Sequence, residues 1–234
     1  MWIKICGITN EADAVGISNL GADALGFILS TDSPRRVDVR KAKKVMHVLR
    51  SEEIAAKNKV SIVGVFVNEE ANRVLDAAYE LALDYIQLSG DEDIEYIRKI
   101  KIMLSKGIKI IKTVRIKDDA GLAEGIFRKI QSLKGLADFF LVDTFKKELY
   151  GGTGKSFKWD ITKDWGLELP IILSGGLNSE NVRQAINLVK PFGVDASSRL
   201  EIYPGKKDLE KVKKFIEIVR ASQDGKIRGD INGK

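Results

Sequence analysis

The chain holds one cysteine, Cys6, and one histidine, His47, in 234 residues. A single cysteine excludes an internal disulfide and any cysteine-based zinc cluster, and it fits a reducing, cytoplasmic setting. A single histidine excludes a His-rich metal site, and no catalytic imidazole exists unless it is His47. That residue lies among Val45, Met46, Val48 and Leu49 in an amphipathic helical pattern, where a structural or surface place is expected. Acid–base work therefore falls to carboxylates, the thiol, Lys or Tyr. No apolar run approaches the roughly 20 residues that span a bilayer. The start, MWIKICG, has no basic region leading into a long apolar segment, so neither a signal peptide nor a membrane partner is expected.

Charge is present but spread. The net value of +6 comes with 39 basic and 33 acidic residues. Lys41, Lys43, Lys44, Lys206, Lys207, Lys211, Lys213 and Lys214 alternate with apolar positions at helical spacing, as on solvated helix faces. No RNA- or DNA-binding pattern with interleaved aromatics appears, so no nucleic-acid partner is expected. Attraction for a phosphorylated small molecule accounts for the charge equally well.

What is there in quantity is alternation. Short apolar runs fall at Ile3–Cys6, Ala24–Leu29, Val60–Val67, Tyr85–Leu88, Ile108–Val114, Phe139–Val142, Pro170–Leu173 and Phe192–Val194. Between them lie segments of helical period: Glu11–Leu20, Val39–Arg50, Glu69–Leu81, Asp91–Ser105, Ala120–Leu133, Trp159–Trp165, Ser179–Val189 and Lys207–Ala221. Alternating strands and helices at this spacing imply parallel strands with crossover helices. Such a count predicts a single-domain (β/α)8 TIM barrel, an α/β fold, over residues 1–222 rather than a doubly wound sheet. The segment Thr144–Phe157, with Gly151-Gly152-Thr153-Gly154, is long for a βα loop and reads as a polar lid. The Gly-rich stretch 223–234 reads as a frayed tail.

In a barrel the C-terminal strand ends form the active face. There stand Cys6, Ser33-Pro34-Arg35, Asn68, Gln87, Ser89, Arg115, Asp143, Ser174-Gly175-Gly176 and Asp195-Ala196-Ser197-Ser198. Bare backbone before a helix capped by Asn178 or Ser179 makes a ready anion site. A tight turn alone would also explain the glycines, but small residues after two consecutive strands favour phosphate. Asp143 ends an apolar strand, which would raise its pKa, whereas pairing with Lys146 or Lys147 would lower it. Arg35, presented after proline, is either a bidentate clamp for a carboxylate or an ordinary surface charge. Cys6 is either a reactive thiol at a strand tip or a small core hydrophobe.

KICGIT, GADALGFI, SPRRV, VGVFVN, VDTF, GGTGKSFKWD, LSGGLNSEN and GVDASS, in that order, resemble phosphoribosylanthranilate isomerase of tryptophan biosynthesis. The resemblance runs from Ile3 to about Ile218. It implies a cofactor-free, metal-free barrel that turns an aminoaldose phosphate into an aminoketose phosphate by an Amadori rearrangement. By the family pattern Cys6 matches the general base and Asp143 the general acid. Arg35 matches the residue that holds the anthranilate carboxylate. Gly152, Gly154, Gly175, Gly176, Asp195, Ser197 and Ser198 match the substrate site, the glycine and serine groups among them binding the phosphate. Base and acid must hold opposite protonation states together, so burial is expected to raise Asp143 and Lys4 to lower Cys6. Where the family has QLHG this chain has Gln87-Leu88-Ser89-Gly90; Arg199 replaces a glycine, and Arg115 replaces a smaller residue. Another phosphosugar isomerase barrel, or a phosphate-binding barrel without chemistry, remains as an alternative. Either a monomer or a homodimer is compatible with the sequence.

Overall fold

The computed structural model describes residues 1–51, 59–115, 122–143 and 170–223. Its core is a closed parallel barrel of β1 (Trp2–Cys6), β2 (Ala24–Ile28), β3 (Ser61–Phe66), β4 (Tyr85–Leu88), β5 (Lys109–Arg115), β6 (Phe139–Asp143), β7 (Ile171–Ser174) and β8 (Gly193–Ala196). Closure is made where Trp2, Ile3, Lys4 and Ile5 stand beside Gly193, Val194, Asp195 and Ala196. Helices α1 (Glu11–Asn19), α2 (Val39–Leu49), α3 (Ala71–Glu80), α4 (Ile94–Met103) and α5 (Leu122–Ser132) follow the first five strands. Helix α6 (Val182–Val189) follows β7, and α7 (Leu209–Gln223) ends the described chain. The expected helix at Trp159–Trp165 and the segment Thr144–Phe157 with Gly152 and Gly154 lie outside the described residues; of the expected tail 223–234, Gln223 instead ends α7 and the rest lies outside them.

Strand side chains alternate between two cores, because successive Cβ atoms point to opposite faces. Ile3, Ile5, Leu25, Phe27, Ile62, Ile86 and Ile110 pack outward under the helices, and each is worth roughly 1.5–3 kcal/mol when fully buried. Cys6, Ala24, Val63, Val65, Ile111, Leu141 and Ile172 fill the barrel interior. Below them an aromatic ring closes the N-terminal mouth: Trp2 lies 5.6 Å from Tyr85 and 6.3 Å from Phe192, and Phe139 lies 4.9 Å from Phe192. Asp23, Asp84 and Asp138, each just ahead of an even-numbered strand, accept from the backbone N–H of Ile3, Ile62 and Ile110 at 2.7, 2.7 and 2.8 Å. Such carboxylates fix the register of three strand pairs. Of the two caps open at Thr9 and Asn10, Asn10 is the one used, accepting from Asp13 N at 2.9 Å. His47 is exposed on α2.

One region departs from the periodic reading. Instead of a helix from Lys207, Ser198–Leu200 form a 3-10 turn and β9 (Glu201–Tyr203) pairs with β10 (Lys206–Lys207) as a short hairpin. Pro204-Gly205 supplies the turn, with Gly205 at φ +85°. Asp208 then caps α7, accepting from the N–H of Glu210 at 3.1 Å and of Lys211 at 3.2 Å. Lys207 is therefore not on a solvated helix face. It is 1% exposed and bonded to Glu201.

Candidate active site

Cys6 ends β1 facing the barrel interior, 7% exposed. Two residues earlier on the same face is Lys4, fully buried, its Nζ 2.7 Å from Asp195 Oδ1. The Lys4 stem and the Cys6 sulfur lie side by side over Gly26, so the ammonium acts on the thiol electrostatically. Room for both side chains comes from Gly26 on β2: a Cβ there would sit 2.7 Å from Cys6 Sγ and 3.0 Å from Lys4 Cε. The expectation that Lys4 lowers the thiol is not met in the ligand-free protein. Burial pushes Cys6 up, and the pull of Lys4 only offsets part of that, with Asp195 adding to the rise. Burial alone would lower Lys4, but Asp195 and Cys6 outweigh it and raise the ammonium, keeping it charged beside the sulfur.

Next to this pair opens a cavity of about 190 Å³, lined by Asp143, Asp195, Ser174–Leu177 and Ser197–Arg199. Asp195 Oδ2 takes a bond from Ser174 Oγ at 3.3 Å, which joins the Lys4 pair to the loop after β7. In that loop Gly175 and Gly176 both have positive φ, 104° and 73°, conformations that side chains rarely adopt. They do not lead straight into a helix as the sequence implied. Asn178 organises an intervening turn, accepting from Glu180 N at 2.9 Å and Asn181 N at 3.1 Å, and α6 begins only at Val182. Across the cavity Ser197 Oγ donates to the carbonyl of Cys6 at 2.9 Å. The two small-residue loops and Asp143 thus share one opening with the surroundings of Cys6.

Arg35, from the loop after β2, comes beside Gly7 and Ser197 but does not line that cavity. Arg36 N bonds Ser33 O at 3.0 Å and Val37 N bonds Ile28 O at 2.9 Å, folding Ser33–Val37 back over the strand end. The Arg35 stem lies over Gly7, where a Cβ would come 2.8 Å from Arg35 Cδ and 3.1 Å from Ser197 Oγ. Its guanidinium is gripped by Glu201, with Nε at 2.9 and 3.0 Å from the two oxygens and Nη2 at 2.7 Å. Glu201 also accepts from Lys207 Nζ at 2.8 Å. Burial would raise the Glu201 carboxyl, but the hydrogen bonds from Arg35 and Lys207 outweigh it and hold it below the ordinary range. Burial pushes Lys207 down. Among the described residues no group of three or more His, Cys, Asp and Glu converges as a metal site.

With this geometry in place, the chain matches one known kind of protein over nearly its whole length. The family model described as N-(5'-phosphoribosyl)anthranilate (PRA) isomerase matches residues 3–218. The chain belongs to this family. A relative of that name from Rubrobacter xylanophilus is 42% identical over 219 residues, covering 94% of this chain and 98% of the relative. The crystal structure of phosphoribosylanthranilate isomerase from Thermotoga maritima superposes with a TM-score of 0.80 at 38% identity, covering 94% and 99% of the two chains. A structure of the isomerase in complex with reduced 1-(o-carboxyphenylamino)-1-deoxyribulose 5-phosphate superposes at 0.77, with 36% identity and the same coverage.

Within the phosphoribosylanthranilate isomerase family the three departures now have places. Ser89 is buried inside the barrel with Gln87 and Thr113: Gln87 Nε2 donates to Ser89 Oγ at 2.9 Å, and the two hydroxyls lie 2.9 Å apart. Arg115 Nη2 bonds the Ser89 carbonyl at 2.8 Å. Arg199 lines the cavity beside Ser198. Sequence reasoning missed Glu201, which falls in no expected element, and Lys207, which fits the start of the helix expected from Lys207 to Ala221. The turn signal Pro204-Gly205 was the clue that could have found them.

Proposed function

We propose that this chain converts N-(5'-phosphoribosyl)anthranilate to 1-(2-carboxyphenylamino)-1-deoxyribulose 5-phosphate by an acid–base Amadori rearrangement, as a cytoplasmic enzyme of tryptophan biosynthesis. Asp143 protonates the ribose ring oxygen, and the furanose opens to an iminium at C1′. Cys6, as thiolate, takes the C2′ proton; the resulting enolamine ketonises to the product. The iminium is itself the electron sink, so the chemistry requires neither a metal nor a redox cofactor.

The buried thiol explains how base strength is kept. A thiolate is scarce in the empty site, because burial disfavours its charge. Lys4 beside the sulfur stabilises the thiolate once formed, and the cationic iminium adds a second positive charge close to it. Holding Lys4 charged falls to Asp195. Phosphate binds against Gly175, Gly176, Ser197 and Ser198, where small residues leave backbone N–H groups accessible. Gly152 and Gly154 add to the same anchor, as the family pattern implies. Arg35 takes the anthranilate carboxylate at the other end, and the two anchors together align C2′ with the thiol.

The observation that carries this reading is the sharing of one cavity by Asp143 and the two phosphate loops, directly beside the Lys4–Cys6 pair. Its test is to add phosphoribosylanthranilate to the purified protein and follow loss of anthranilate fluorescence. Rapid loss is expected. A protein that binds the substrate without consuming it would be a phosphate-binding barrel instead.

A further inference from the structure

Arg35 and Lys207 meet at one carboxylate. Glu201, whose side chain is 3% exposed, offers both oxygens to Arg35 and one to Lys207. The partners come from opposite ends of the chain, Arg35 standing 166 residues before Glu201. Lys207 alone would neutralise Glu201 within the hairpin: its Nζ is fully buried, 2.8 Å from Oε1, and also bonds the Ser197 carbonyl at 3.2 Å. The Arg35 side chain, 20% exposed, is the half-open member of the trio. A carboxylate already discharged by a buried lysine, yet holding a half-open arginine in a fork, is organised to aim that arginine.

We propose that Glu201 is a positioning residue for substrate binding, holding Arg35 by its Nε–Nη2 edge so that Nη1 and the outer Nη2 hydrogen are left for a substrate carboxylate. A guanidinium has five N–H donors in a fixed plane, so fixing one edge fixes the direction of the rest. The platform is itself anchored. Lys207 N bonds Asp13 Oδ2 at 2.8 Å, Lys206 pairs with Asp13, and Thr9 Oγ1 donates to Gly205 O at 2.5 Å. Those contacts tie the hairpin to α1 and to the turn following Cys6. The same hairpin continues from Ser197-Ser198, so the carboxylate anchor and the phosphate anchor share one support. Lost freedom of Arg35 is thereby settled before the ligand arrives.

This inference rests on the reading that Arg35 takes the carboxylate, and its test separates the two. Affinity is measured for two ligands, the reduced carboxyphenylamino-deoxyribulose phosphate and ribose 5-phosphate, which lacks the carboxylate. Glu201→Gln keeps the shape, removes the charge and turns an amide N–H towards one of the two cations. It should weaken the first ligand about 10–100-fold, the worth of a charged hydrogen bond, and leave the second unchanged. In an Arg35→Ala background the same substitution should do nothing further to the first ligand. Equal weakening of both ligands, or additive effects with Arg35→Ala, would make Glu201 a structural ion pair only. If Glu201→Gln does not fold, Arg35→Lys gives the answer instead, since it keeps the charge and loses the fork. Wild-type affinity in that variant would overturn the proposal. Turnover of phosphoribosylanthranilate by the unaltered protein, measured separately, reports on the isomerase reading alone.

Discussion

Gly26→Ala is the perturbation that most sharply probes how β1 and β2 share space. A methyl at Gly26 would start 2.7 Å from Cys6 Sγ, 3.0 Å from Lys4 Cε and 3.2 Å from Cys6 Cα. Ordinary carbon contacts lie at about 3.5–4.0 Å, so the sulfur must retreat by roughly 1 Å. The backbone cannot absorb this easily, because Cys6 pairs in register with Gly26 and Gly7 N bonds Gly26 O at 2.9 Å. Overpacking of this kind costs about 1–3 kcal/mol, and in a barrel of this size each kcal/mol lowers Tm by about 2–4 °C. A displacement of about 1 Å at a reacting atom costs on the order of 100-fold in rate. Thermal melting, kcat and phosphate affinity are the measurements. The expected result is a lower Tm, kcat down about 100-fold, and a much smaller change in phosphate affinity, since the added methyl presses on Cys6 and Lys4 and meets the loops after β7 and β8 only through them. A variant with near wild-type kcat would refute the idea that Cys6 Sγ must keep its place.

Three further outcomes follow from the buried groups. Cys6 is raised by burial, so the rate of iodoacetamide alkylation in the ligand-free protein should inflect above the free-thiol value of about 8.5, and an inflection below it would contradict the structure. Because the folded value exceeds the unfolded one, the stability linked to this thiol is whole below about pH 8.5 and is lost as pH rises through the folded value; Cys6→Ala should remove that alkaline slope. Lys112 pairs with Glu92 at 2.6 Å with both side chains nearly sealed, so Lys112→Met should cost about 3–5 kcal/mol by leaving the carboxylate uncompensated. A change too small to resolve by denaturant titration would show the pair to be dispensable.

The barrel was legible because its signal is repeated. Eight apolar runs separated by helical periods leave one economical topology, and all eight strands lie where those runs fall. Residue types at strand ends also carried over, since a strand's end fixes which face of the barrel its last side chain serves. Long-range pairings were less visible. Lys4 was read as a neighbour of Cys6, but its salt bridge to Asp195, across the β1–β8 closure, depends on strand register. The grip of Glu201 on Arg35 depends on a hairpin whose Lys-rich strand also fits a helical period. The direction of the Cys6 shift was misjudged for a related reason: sequence shows the charge next door and not the depth of burial around it.

The central claim is that Cys6 and Asp143 divide the two proton transfers of one isomerisation. The most direct test compares Cys6→Ser and Asp143→Asn with the unaltered protein, following phosphoribosylanthranilate fluorescence and measuring affinity for the reduced product analogue in parallel. Loss of a positioned acid or base typically costs about 10²–10⁴-fold. Both variants are expected to lose turnover on that scale while binding the analogue as before. Turnover close to that of the unaltered protein in either variant would contradict the assignment of that residue.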